Sequence, residues 1–408
     1  MSSEVSVNII ADEAGQIDPQ DWVDQSTPES SLPQKVTSGS AEKTESLAGP
    51  VYPALPYMKQ LDGLRAFALF GFLFAHWFPF HIISKCIPFY DGGVTLFFVM
   101  SGFLITSILL KSRRKIDSGF ATRLTMGKHF YARRALRLFP VLYVTLLIAF
   151  AVGVPTMAEQ LPWNALYLNN IYCFLNDQMG VASHLWTLSV EEQFYILWAL
   201  VILVFSRRAV WALLIVLIIL APTTRVVLFN MGKSTFHILP MACFDALSMG
   251  AMLSLISDRS WAFPRLRRLI PKTALCIGLP MYALMIAARS HGHLLGISPS
   301  IAWPLQAFFG ALFFVWVVDS ASRGFSGPMK RILEFPVATY LGRISYGIYV
   351  LHGFAPLFIR IALPPLGMDE LLPYTHWFSV KFLATVALAS LSWFLLEKPF
   401  LKLKKYFA

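Results

Sequence analysis

The chain reads as a series of continuous apolar runs of about 18–22 residues, each long enough to cross a bilayer as a helix at 1.5 Å per residue. Ten such runs are expected: Leu64–Ser84, Gly92–Leu110, Leu136–Val154, His184–Phe205, Trp211–Asn230, His237–Ile256, Thr273–Ala288, Ile301–Val318, Thr339–Ile361 and His376–Leu396. Trp163–Phe174 is apolar but short and interrupted by Asn169 and Asn170, so it reads as an interfacial or re-entrant piece. The runs are unbroken rather than alternating, which excludes a transmembrane β-barrel. The fold class is therefore an all-α polytopic membrane protein of about ten transmembrane helices with one extra short helix.

Charge orients this pattern. Lys111–Arg137 holds nine Lys/Arg against one acid. Basic residues recur at Arg207 and Arg208, at Arg259–Lys272, at Arg323–Arg343 and at Lys398–Lys405. The opposite loops hold little beyond Lys85, Lys233, Asp369 and Glu370. The positive-inside rule then places both termini in the cytoplasm of a multi-pass protein of the cell's inner membrane. Counting Trp163–Phe174 as a span would break the alternation.

Composition agrees, since 56% of the 408 residues are hydrophobic and 14% charged, against roughly 25% charged in soluble domains. The first fifty residues are different, with nine Asp/Glu and two Lys, or −7. They cannot bury enough apolar surface to fold alone. Residues 1–57 are thus expected to be a disordered acidic cytoplasmic tail, open to a protein partner, ahead of a membrane domain at 58–408. The formal charge of +11 leaves +18 for the remainder, since 11 − (−7) = 18. Those cations lie at membrane edges, so they imply lipid contact rather than nucleic acid. Four cysteines show no metal spacing. A Cys86–Cys173 disulfide is left open, and Cys243 and Cys276 read as small core residues.

Polar residues inside the apolar runs carry the chemistry, because ionisable groups at membrane depth are costly and are functional by default. Arg65 and His76 are eleven residues, or about three helical turns, apart on one face, about 16 Å along the axis. His352, Glu191, Glu192, Asp245 and Arg225 are expected in one layer with His76. Glu191 and Glu192 point about 100° apart, so only one of them, Glu192, is assigned to the site. A second zone gathers Arg65, Arg133, Arg134 and Arg137 at the cytoplasmic edge, where forked guanidinium groups suit phosphate. The other histidines, His184 among them, read as interfacial or solvated.

Several segments together resemble the membrane acyltransferase-3 family, the integral-membrane O-acyltransferases of glycans and secondary metabolites. They are Leu61-Asp62-Gly63-Leu64-Arg65-Ala66 with His76, Phe97–Leu104, Arg133–Arg137 with Pro140, Trp186–Tyr195, Leu341–His352 and Glu397-Lys398-Pro399. Two positions depart from the pattern. Thr95 stands where the family usually has Asp, and Cys243 where it commonly has Arg, leaving Arg225 to partner Asp245. Similar proteins often carry a further hydrolase-like domain after the last helix. The sequence ends eleven residues after Glu397, so a stand-alone enzyme, or one with a separate partner, is expected.

The resemblance implies a cytoplasmic acyl-CoA donor, acetyl-CoA above all, and an acceptor hydroxyl on a glycan or lipid-linked saccharide at the outer side, with no metal. Arg65, Arg133, Arg134 and Arg137 would meet the CoA phosphates. His76 would be the general base, with Glu192, Asp245 and His352 around it; transient acyl transfer to His76 is the other route. The competing class is a proton-coupled transporter or flippase, which needs the same intramembrane Arg/His/Glu/Asp layer.

Overall fold

A computed structural model describes residues 57–78, 89–258, 261, 264–362 and 374–407. The acidic tail and Cys86 lie outside the described residues. Met58–Phe407 forms one compact unit, helical throughout, with no strand among the described residues.

In chain order the helices are α1 Lys59–Trp77, α2 Phe89–Asp117, α3 Arg123–Ala151, α4 Met157–Ala165, α5 Asn169–Asn176, α6 Trp186–Val204, α7 Arg207–Asn230 and α8 Phe244–Ser257. There follow α9 Pro264–Thr273, α10 Leu279–Leu295, α11 Pro299–Arg323, α12 Gly327–Leu333, α13 Pro336–Arg343, α14 Ser345–Leu351, α15 Ala355–Ala362, α16 Tyr374–Ser392 and α17 Lys398–Lys402. A wide turn at Ala274–Gly278 joins α9 to α10, and another at Trp393–Glu397 joins α16 to α17.

Seven segments among the described residues are long and apolar enough to cross a membrane, rather than the expected ten. The difference has three sources. The described part of α1 carries Lys59, Asp62, Arg65 and His76 within 19 residues. The 14 residues of α8 reach only about 21 Å at 1.5 Å per residue. The expected span 339–361 is not one helix: it breaks after Arg343 and again between Leu351 and Ala355. The short pieces Met157–Ala165 and Asn169–Asn176 match the expected non-spanning segment.

The core lies where α2 crosses α8. Gly102 and Gly250 let the two backbones touch: a Cβ on Gly102 would run into the Leu247 carbonyl, and one on Gly250 into that of Val99. Small residues at a crossing give membrane helices their packing contacts, since lipid supplies no hydrophobic drive. All of α8 except Met252 and Ser257 is buried. Outward faces, such as Ile215, Val216, Ile219 and Leu220 of α7, stay apolar and exposed. Gly102→Val should cost at least the roughly 1–3 kcal/mol typical of overpacking, because backbone must move. Thermal unfolding in detergent checks this, and an unchanged midpoint would mean that the crossing is looser than described.

Candidate active site

Three helix ends meet at one place. His76 sits in the last turn of α1, His352 directly follows α14, and His184 lies in the 3-10 turn Ser183–Leu185 that leads into α6. The His76 and His352 ring centroids are 5.0 Å apart, and those of His352 and His184 are 4.6 Å apart. Phe72, one turn below His76, stacks on it at 5.8 Å and meets His352 edge-on at 5.2 Å. His76 is exposed, whereas His184 and His352 are fully buried.

Backbone carbonyls face both buried rings. His352 Nδ1 lies 2.6 Å from the Tyr349 oxygen. A carbonyl only accepts, so Nδ1 carries the hydrogen and Nε2 keeps the lone pair. His184 Nε2 faces the Val350 oxygen at 3.2 Å, and the Val181 backbone also interacts with this ring. His352 Nε2 has no hydrogen-bond partner among the described residues. The Tyr349 hydroxyl bonds Thr187 Oγ1 and the His184 carbonyl, tying the break after α14 to the start of α6. Gly353 is required there, since a Cβ would strike the His184 ring.

The carboxylates do not join this cluster. Glu192 accepts from Arg134 Nε at 2.7 Å, and the Arg134 guanidinium lies 3.6 Å over the Tyr195 ring. Glu191 accepts from Ser101 Oγ at 3.0 Å and from the Tyr195 hydroxyl at 3.1 Å. The two acids turn to different helices, as adjacent helical positions must. Asp245 is bound by Arg225 through two bonds of 3.0 and 2.5 Å, and Arg225 also donates to the Pro304 and Ala242 carbonyls at 2.8 and 2.5 Å. Of the residues expected in one layer, His76 and His352 come together, whereas Glu192 and Asp245 each pair with an arginine. Burial explains the split, because a charge taken out of water needs an opposite charge in contact. Arg225 does fill the place that Cys243 leaves empty.

Beyond Arg134, the inner zone holds Arg65, bonded to Asp62 at 2.7 Å, and Arg137, within electrostatic reach of Arg65, Arg134, Asp62 and buried Glu397. Arg133 donates to the Phe407 carbonyl at 3.1 Å. Arg134 is thus paired with Glu192 through Nε. Thr95 turns its hydroxyl to the Asp91 carbonyl at 2.7 Å. Cys173 is buried, and Cys86, with which a pairing was left open, lies outside the described residues. No three His, Cys, Asp or Glu among the described residues are placed to hold a metal.

Two residues of this neighbourhood escaped the sequence reading. His184 looked interfacial but is buried against His352. Lys381, half-buried on α16 and within electrostatic reach of His76, was passed over inside an apolar run. A lysine at that depth was itself the missed signal. Phe378, one turn away on α16, packs on Phe70, Phe74 and Trp77 of α1 at 5.6–5.8 Å.

A multi-pass helical membrane protein with an imidazole cluster at one end of a helix and arginines at the other is the class that these features define. The chain belongs to the acyltransferase-3 family: the family model, described as an acyltransferase domain, matches residues 58–394. It is 28% identical over 375 residues to the peptidoglycan O-acetyltransferase OatA of Listeria monocytogenes, covering 85% of this chain and 56% of that protein. SAS0844 of Staphylococcus aureus, a candidate O-acetyltransferase by name, is 25% identical over 86% of this chain and 58% of its own length. YrhL of Bacillus subtilis, a candidate peptidoglycan O-acetyltransferase by name, is 26% identical over 84% and 55%. The chain therefore spans somewhat over half the length of these relatives. No solved structure matches it.

Proposed function

We propose that this protein transfers an acetyl group from acyl-CoA to a hydroxyl of a glycan, with donor and acceptor reaching opposite ends of α1. The observation that carries this reading is α1 itself. Its exposed His76 abuts the buried His352 imidazole, which in turn meets His184, while Arg65, eleven residues earlier and about 16 Å along the axis, lies beside Arg137. Coenzyme A brings phosphates that suit guanidinium groups and an arm long enough to carry a thioester toward the imidazole. The acceptor hydroxyl oxygen attacks the thioester carbonyl as His76 takes its proton. The C–S bond then breaks and the proton passes to the CoA thiolate. His352 positions His76 from behind. The names of the relatives support O-acetylation and a peptidoglycan-like acceptor.

We further read α1, α8 and the broken run 336–362 as membrane elements beside the seven long spans, ten in all, with both termini cytoplasmic in the cell's inner membrane. The decisive experiment places purified protein in liposomes with labelled acetyl-CoA and a glycan acceptor on opposite sides. Label transfer with stoichiometric CoA release is expected. Movement of either compound without CoA release would overturn the enzyme in favour of a transporter.

Arg137→Ala should weaken acyl-CoA binding about tenfold or more, the loss typical of a charge-assisted contact, and leave acceptor binding unchanged. Titration with a non-hydrolysable acyl-CoA measures it. Unchanged donor affinity would remove Arg137 from the donor site.

A further inference from the structure

A second polar cluster joins α2, α10 and α11 and has no part in the chemistry above. Gly93 of α2 packs against Phe72, the residue whose ring stacks on His76. Two residues before Gly93, Asp91 Oδ2 accepts from Arg289 Nη1 at 3.1 Å and from Gln306 Nε2 at 3.2 Å. Arg289 Nη1 also donates to Gln306 Oε1 at 2.9 Å, which closes a ring of three planar groups from α2, α10 and α11. The Arg289 guanidinium lies 4.5 Å over the Trp303 ring.

The ring of groups is closed but remains reachable. The side chains of Asp91 and Arg289 are 34% and 28% exposed, and Trp303 is 43% exposed. Asp91 Oδ1 accepts no bond from any described residue, so half of the carboxylate is spare. His237, within electrostatic reach of Asp91, meets the Trp186 ring at 5.6 Å. The Trp186 indole N–H is buried with no partner among the described residues.

Resting on the acceptor reading above, we propose that Asp91, Arg289, Gln306 and Trp303 form the acceptor subsite, built for a glycan oligosaccharide. A sugar offers adjacent hydroxyls that both donate and accept. A carboxylate, a guanidinium and an amide held in one hydrogen-bonded cycle present paired acceptors and donors in fixed geometry. A half-exposed indole offers an apolar face to the C–H side of the pyranose ring, as aromatic side chains do at binding surfaces. Gly93 packs on Phe72, so the first turn of α2, which carries Asp91, lies at the same end of the bundle as the last turn of α1, which carries His76 and where an acceptor hydroxyl has to arrive.

The test uses the full-length protein in nanodiscs, a β-1,4-linked N-acetylglucosamine tetramer as acceptor, and the variants Asp91→Asn and Trp303→Ala. Each should weaken tetramer binding, measured without donor, by about tenfold and raise the acceptor KM alike, with donor KM unchanged. Trp303 is exposed, so Trp303→Ala reports even if Asp91→Asn misfolds. Unchanged tetramer affinity in folded variants, or no tetramer binding by the wild type, overturns the subsite. Tetramer binding that these variants weaken, in a wild type that consumes no acyl-CoA, upholds the subsite and overturns the acyl-transfer reading instead.

Discussion

His76→Ala is expected to lower acyl transfer by about 10²–10⁴-fold, the usual worth of a positioned general base, while the protein stays folded and still binds acyl-CoA. The fold should tolerate the change because His76 is exposed at the end of α1, where its ring contacts Phe72 and His352. His352→Ala should behave differently. It removes a fully buried ring that packs on His76, His184 and Phe72. Stability and activity should therefore fall together, by about 2 kcal/mol or more in stability for a cavity of that size. Labelled CoA release and thermal unfolding, measured on the same preparations, separate the two. A His76→Ala protein within tenfold of wild-type turnover would place the base elsewhere, with Lys381 the next group to examine.

The second large effect concerns stability alone. Arg225 and Asp245 are each nearly devoid of solvent exposure, and Arg225 holds two carbonyls besides the carboxylate. Removing one partner, as in Asp245→Ala, leaves a guanidinium buried and uncompensated, at a cost of about 3–5 kcal/mol. Replacing both together, Arg225→Met with Asp245→Leu, should recover much of that loss, because no charge remains to be solvated. A double-mutant cycle in unfolding midpoints reads the coupling. An Asp245→Asn protein with wild-type stability and no turnover would instead restore Asp245 to the catalytic group, as the sequence suggested.

Much of the site was legible in the sequence, and the reason is periodicity. Arg65 and His76 belong to one continuous helix, so their spacing converts directly into a shared face and an axial distance. The divergence of Glu191 and Glu192 follows from the same geometry. Arg225 opposite Asp245 followed from the resemblance, because Cys243 stands where the family commonly has an arginine. His184 was not legible. A histidine before a helix resembles any interfacial residue until the chain break at Leu351–Ala355 folds His352 onto it, and that break depends on Gly353 lying flat against the imidazole. Which polar residues of the expected layer touch one another was not legible for a related reason. Depth along a helix is readable from residue count, whereas rotation about each axis decides which groups touch.

The chain by itself determined a helical membrane bundle, because unbroken apolar runs leave the backbone no other way to satisfy its hydrogen bonds in lipid. It also determined which few ionisable residues lie within that bundle. The tertiary structure decided how they pair. Glu192 goes to Arg134, Asp245 to Arg225, and His76 to His352 and, through it, to His184. These contacts join residues 20 to 276 positions apart and arise only from helix crossing and rotation. At α2 and α8 these are set by close glycine packing that no local pattern reveals.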